Sequence, residues 1–198
     1  MNLIVDPLTH PICMIQHLIG SYGENIVFRF SRYQHVPQSL EDNRETFEVS
    51  ATDVSSNWLQ AQLADLEFGE ELAINSTVMI DGVTWHIPMI DFASKNLEKI
   101  EVNIAKLGHR IPGALILFDS GSSFHAYGTT LICEGGWRGF MGNVLLCNTG
   151  NESNVVDQRW VGHRLIAGYG ALRWSCNTKN YSRLPELVNK EKTGADPK

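Results

Sequence analysis

Two acidic residues and one hydroxyl-rich turn are the parts of this sequence best suited to chemistry. Asp91 ends the apolar run His86-Ile-Pro-Met-Ile-Asp91, and Asp157 follows Val155-Val156. Between them in the chain lies Ser120-Gly121-Ser122-Ser123-Phe124-His125-Ala126-Tyr127. Small hydroxyl residues with backbone N–H groups, beside an imidazole, suit an anionic ligand and a phosphate in particular. Carboxylates at strand ends suit a hard divalent cation such as Mg²⁺ or Mn²⁺, which takes carboxylate and phosphate oxygens. Together the three pieces could hold a metal and a triphosphate, with the metal neutralising charge in phosphoryl transfer.

Each piece also has a plain structural role open to it. Asp91 can cap a strand end, and Asp157 is a good helix N-cap. The serine turn with His125 can be an ordinary hairpin, and Trp160 suits a core as well as a ligand platform. His10, His17, His35, His109 and His163 share no ligand spacing. His86 sits five residues from Asp91, so an extended strand sends the two to opposite faces. A Gly-x-Ser-x-Gly nucleophile elbow and a Gly-x-x-x-x-Gly-Lys phosphate loop are both missing.

These residues need elements to hold them. An apolar run over 114–118 and a second run over 124–132 predict two strands around the serine turn. Alternation puts His125, Tyr127 and Thr129 on one face and Phe124 and Ala126 on the other. Asp91 requires a strand, and residues 77–80 and 83–92 predict a hairpin around Asp81-Gly82, whose residues supply the positive φ of a two-residue turn. Asp157 opens a predicted helix that runs to Ala167 and stops at Gly168-Tyr169-Gly170. A strand over 171–176 follows and carries Arg173.

Further helices are predicted over 11–19, from Ser55 or Ser56 to 68, over 96–107 and over 137–147. Pro11 suits a first turn, and Gly20 the end of the first helix. Strands are predicted over 26–30 and 46–51, and the polar residues 36–45 read as a loop. The charged residues 189–198 read as a flexible tail.

The 198 residues suit one domain, or two small lobes around a cleft. A net charge of −6 argues against broad, non-specific nucleic-acid binding. It leaves room for a local groove near Arg159, Arg164, Arg173, Lys179 and Arg183. Cys13, Cys133, Cys147 and Cys176 are scattered and read as reduced thiols. With no signal-peptide pattern and no apolar run of membrane-span length, the expectation is a cytoplasmic protein without membrane contact.

The order of the pieces resembles the archaeo-eukaryotic primase superfamily, which includes the primase-polymerases. Its pattern is an apolar strand ending in Asp-x-Asp, a Ser-Gly-x-x-x-His-x-Tyr hairpin, an apolar residue before a third Asp, and a basic segment that helps hold nucleotide. Asp91 matches the first position, Ser120-Gly121, His125 and Tyr127 the second motif, and Val156-Asp157 the third. Arg173, Ser175 and Lys179 match the basic segment loosely. The resemblance covers roughly residues 77–179. It departs from the pattern at Ala93, which stands where the second carboxylate belongs. Asp119 and Glu98 are nearby carboxylates at other spacings.

The resemblance implies an α+β fold with an N-terminal α/β lobe (about 1–75) and a C-terminal lobe (about 76–188). The second lobe would be built on an antiparallel sheet like that of an RNA-recognition module, with a cleft between the lobes. It implies a metal-dependent nucleotidyltransferase acting on a nucleic-acid 3′-hydroxyl. Asp91, Asp157 and His125 would be catalytic, with Asp91 and Asp157 holding Mg²⁺ or Mn²⁺. Ser120, Gly121, Ser123, His125, Arg173 and Lys179 would bind the nucleotide. The implied partners are a nucleoside triphosphate, a single-stranded template or primer-template, and a protein supplying helicase or template-binding function. Ala93 and the acidic net charge keep open a catalytically degenerate subunit that binds nucleotide or nucleic acid within a larger complex.

Overall fold

The computed structural model describes residues 5–150, 152–181 and 183–188. It is an α+β fold with two antiparallel sheets and, among the described residues, five α-helices. The first sheet holds β1 (Ile26–Gln34), β2 (Glu45–Ser50), β3 (Glu70–Ile80), β4 (Val83–His86), β8 (Ile132–Cys133) and β9 (Ala171–Arg173). The second runs β10-β6-β7-β5, with β5 at Met89–Asp91, β6 at Leu115–Asp119, β7 at Phe124–Gly128 and β10 at Glu186–Leu187.

The long strand β3 lies between β1 on one side and β4 and β9 on the other. Every residue from Leu72 to Ser76 is buried, as expected of a central strand covered on both faces. The β3–β4 hairpin turns at Asp81 and Gly82, both at positive φ (49° and 79°), the geometry that the Asp-Gly pair predicts.

The strand predicted over 83–92 is two strands in different sheets. Pro88 has no N–H to give a ladder. After it the chain leaves β4 of the first sheet and enters β5 of the second, paired with β7. Gly128 closes this crossing. Its amide donates to the Pro88 carbonyl at 2.8 Å, and a Cβ there would lie 2.5 Å from Pro88 Cγ.

Two apolar cores sandwich the second sheet. One gathers Met14, Ile15 and Leu18 of α1 (Ile12–Tyr22), Phe28 and Phe30 of β1, Leu59 of α2 (Ser56–Ala64), and Trp174. The other packs Ile100 of α3 (Leu97–Leu107), Phe140 and Met141 of α4 (Glu134–Leu145) and Val161 of α5 (Gln158–Ala167). Fully burying a side chain of this size contributes about 2 kcal/mol. Alternation along β5 and β7 sorts their residues: Met89 and Tyr127 enter the first core, Ile90 and Ala126 the second.

Some element ends differ from expectation. Helix α1 runs past Gly20 to Tyr22 and is ended by Gly23 at φ 90°. Helix α2 ends at Ala64, before the expected 68. Strand β9 stops at Arg173, and the residues after it are held by side chains. The buried Glu71 carboxylate accepts from the amides of Asn177 and Thr178 at 2.9 and 2.8 Å and from the Ser175 hydroxyl. Strand β10 was not expected. The predicted tail, 189–198, lies outside the described residues. None of the described helices is long and apolar enough to cross a membrane.

Candidate active site

Strand β5 ends at Asp91, and its register places Asp91 directly across from His125 of β7. The chain then forms an isolated bridge between Phe92 and Val156. The Asp157 amide donates to the Asp91 carbonyl at 2.9 Å, and the Ala93 amide to the Val155 carbonyl at 2.9 Å. Val155 and Val156 are pinned in turn by Asn148, whose Oδ1 accepts both their amides at 2.8 and 2.9 Å. Apolar packing of Phe92, Val155 and Val156 in the second core therefore brings Asp157 to the end of β5.

Asp157 also performs the plain structural role open to it. Its Oδ1 caps α5, accepting from the amides of Arg159 and Trp160 at 2.8 and 3.1 Å. Both bonds end on the same oxygen, so the cap leaves Oδ2 for another partner.

Asp91, His125, Asp157, Ser123 and Arg173 all line one cleft of about 470 Å³. Ala93 lines it too and is exposed. Burial, then the charge of Asp157, push the Asp91 carboxyl up to about 8, against the pull of Arg173. Burial, then Arg173, push His125 down to about 3. At neutral pH His125 is therefore uncharged. Its Nε2 stands 3.7 Å from Asp91 Oδ1, beyond hydrogen-bond reach. Its Nδ1 is buried and has no partner among the described residues. A neutral imidazole held this way can offer an N–H to an oxyanion.

The remaining sequence candidates are placed differently. Ser120 is buried, and its hydroxyl donates to the Ser123 carbonyl at 3.0 Å. Gly121 takes the positive φ of the turn (95°), and its amide is held by Asp119 at 2.8 Å. These two residues shape the turn that presents Ser122 and Ser123 to the cleft. Arg173 is buried and stapled to backbone: its guanidinium donates to the Ser120 carbonyl at 2.6 Å and to the Ser175 carbonyl, and lies 3.8 Å from the Tyr181 ring centroid. It thus joins the first sheet to the serine turn while its charge acts on the cleft. Lys179 is exposed and is not among the residues lining the cleft, because the Glu71-held turn carries the chain outward before it. Neither Asp119, paired with Arg183, nor Glu98, in the first turn of α3, lines the cleft, so neither replaces the carboxylate missing at Ala93.

Several lining residues had no signal in the sequence: Tyr33 at the end of β1, and Asp42 and Arg44 in the following loop. That loop has no periodicity, and its partners come from distant segments. Arg164 had only a weak signal, as part of the late basic cluster.

Among the described residues no group of three or more His, Cys, Asp or Glu is disposed to hold a metal. Two carboxylates are nonetheless a fitting protein contribution for Mg²⁺, which usually keeps waters and substrate phosphates as its other ligands.

A family model described as AEP-like, archaeo-eukaryotic primase 1D-like, matches residues 50–186. No curated protein matches the chain at a significant level. Among solved structures the chain is similar to the catalytic domain of primase Repb′, determined in complex with initiator DNA. The TM-score is 0.42 at 11% identity, with 91% of this chain and 85% of that chain covered.

Proposed function

This chain belongs to the archaeo-eukaryotic primase family, and from that premise we propose that it is a primase-polymerase-like nucleotidyltransferase. The observation that carries the reading is the meeting of Asp91, Asp157 and His125 on one cleft, although they come from separate segments. Asp91 and Asp157 would hold Mg²⁺ or Mn²⁺. A bound cation would neutralise phosphate charge and orient the oxygens for in-line attack by a nucleic-acid 3′-hydroxyl on the α-phosphate, the new P–O bond forming as the bond to the bridging oxygen breaks, pyrophosphate leaves and the hydroxyl proton passes to solvent.

The chain's own residues then have defined tasks. Asp91 gives up its proton when a cation binds, which reverses the effect of burial. Neutral His125 donates an N–H to a phosphate oxygen, and Ser123 adds a hydroxyl. Ser120 and Gly121 fix the turn that aims Ser123. Arg173 contributes positive potential from a position locked by two carbonyls and Tyr181. Trp160 lines the same cleft and offers surface for a sugar or base. Lys179, at the surface, is left a role on template or primer outside the cleft. A protein supplying helicase or template-binding function would complete the activity.

The test is primer synthesis and extension by the purified protein with Mg²⁺ or Mn²⁺, nucleoside triphosphates and a single-stranded template. Asp91→Ala serves as the blank. Incorporation that the blank lacks supports the reading. Incorporation that survives Asp91→Ala removes it.

A second reading rests on Ala93. With no carboxylate at that exposed position on the cleft, the chain would be a degenerate subunit that binds nucleotide or nucleic acid within a larger complex. That reading expects metal-dependent nucleotide binding without incorporation.

A further inference from the structure

A second polar cluster lines the same cleft and takes no part in the site above. Asp42, in the loop between β1 and β2, accepts from Arg44 Nε through both carboxylate oxygens at 3.0 and 2.9 Å. Its Oδ2 also pairs with Nη2 of Arg164 in α5. The Arg44 guanidinium lies over the Tyr33 ring, 3.8 Å from the centroid. Arg164 is 1% exposed, and its Nε and Nη1 are buried with no partner among the described residues. All three residues line the cleft.

The cluster is unbalanced in charge and in hydrogen bonds. Two guanidinium groups meet one carboxylate. A buried arginine with idle donors is a poor purely structural choice, because the desolvation of those N–H groups goes uncompensated. The guanidinium fork matches phosphate as well as carboxylate, and a phosphate brings more oxygens and more charge than Asp42 can. The Asp42 side chain is 22% exposed, so it can leave to solvent, whereas Arg164 is anchored in a helix.

We infer that Arg44 and Arg164 form a phosphate-binding subsite of the cleft, and that Asp42 fills it in the free protein as a surrogate that an incoming phosphate group displaces. Asp42 and Arg44 lie in the loop between β1 and β2, before the stretch matched by the family model, which begins at residue 50. The subsite needs neither Asp91 nor Asp157, and its success or failure is separate from that of the proposed transfer reaction.

The experiment measures binding in the presence of EDTA, so that no metal site contributes. Wild type, Asp42→Asn, Arg44→Gln and, as a control outside the cleft, Arg138→Gln are titrated with inorganic phosphate, a nucleoside triphosphate and a single-stranded oligodeoxynucleotide. Removing the surrogate's charge should tighten phosphate binding about tenfold, within the usual range of coupling between competing ligands. Arg44→Gln should abolish the binding, and Arg138→Gln should leave it unchanged. A gain shared by the triphosphate assigns the subsite to the nucleotide. A gain shared by the oligonucleotide assigns it to the strand, and a gain for inorganic phosphate alone assigns it to a free anion. Equal or weaker binding of all three by Asp42→Asn overturns the inference and makes Asp42 a loop anchor. Should Asp42→Asn not fold, the wild-type protein still decides. The Arg164 Nε–H resonance should shift saturably with phosphate in wild type and not in Arg44→Gln, and no shift in wild type overturns the inference.

Discussion

Asp157 donates its backbone amide to the carbonyl of Asp91 at 2.9 Å, which sets two acidic residues side by side at one strand end. The Asp91 carboxyl, partly buried and then raised further by the charge of Asp157, is pushed up to about 8. A bound metal would relieve both burdens at once.

Metal binding should therefore release a proton. Below pH 8 the protonated Asp91 competes with the cation, so affinity for Mn²⁺ should rise with pH and level off above about 8. Calorimetry at pH 6.5 in two buffers of different ionisation enthalpy should show close to one proton released per ion. Asp91→Asn should bind far more weakly and release none.

Stability should pass through a maximum in mildly acidic to neutral solution. Burial lowers His10 and His86 to about 4 and His125 to about 3. Between the ordinary histidine value of ~6.5 and these values the unfolded chain binds more protons than the folded one, so stability falls on acidification. Asp91 has the opposite sign: the unfolded chain loses this proton near 3.8 while the folded state holds it up to about 8, so its contribution falls as pH rises between these values and sets the trend above about 6.5, where the histidines no longer offset it. Each such proton is worth up to ~1.4 kcal/mol per pH unit. Urea unfolding across pH 4–9 should show both arms, and Asp91→Asn should flatten the alkaline arm and steepen the acidic one.

His125→Ala should lower kcat/KM for nucleotide incorporation by roughly 10²-fold, the usual effect of removing one positioned donor. Nucleotide binding should weaken as well, while the melting temperature should hold or rise, since the buried imidazole Nδ1 has no partner to lose. A variant with normal kinetics would take His125 out of the site.

Ala93→Asp should leave nucleotide affinity nearly unchanged and raise template-dependent extension with Mn²⁺, because the added carboxylate would help hold a metal on the attacking hydroxyl, whereas the triphosphate would supply its own oxygens to a metal. The degenerate-subunit reading expects no extension before or after the change. Extension assays on both proteins separate the two.

Much of this site was legible because it obeys local rules. Strand alternation paired His125 with Tyr127, the helix-cap preference marked Asp157, and the end of an apolar run marked Asp91. The basic half was legible only in part: Arg159, Arg164 and Arg173 of the late basic cluster line the cleft, whereas Lys179 does not. Asp42 and Arg44 sit in an aperiodic loop, and their meeting with Arg164 depends on tertiary packing. Lys179 followed a strand expected to reach Cys176, but that strand ends at Arg173 and Glu71 turns the chain away. Pro88 was visible in the sequence, yet only the two-sheet packing reveals that it moves the chain from one sheet to the other. Gly128 guards that crossing, and Gly128→Ala should cost about 1–3 kcal/mol in urea unfolding by overpacking against Pro88.

The most direct measurement is anomalous diffraction from crystals grown with Mn²⁺ and a non-hydrolysable nucleoside triphosphate. The account expects a manganese peak bridged by carboxylate oxygens of Asp91 and Asp157, with the triphosphate against Ser123 and His125. Nucleotide bound elsewhere on the molecule, or manganese sites that involve neither carboxylate, would contradict it.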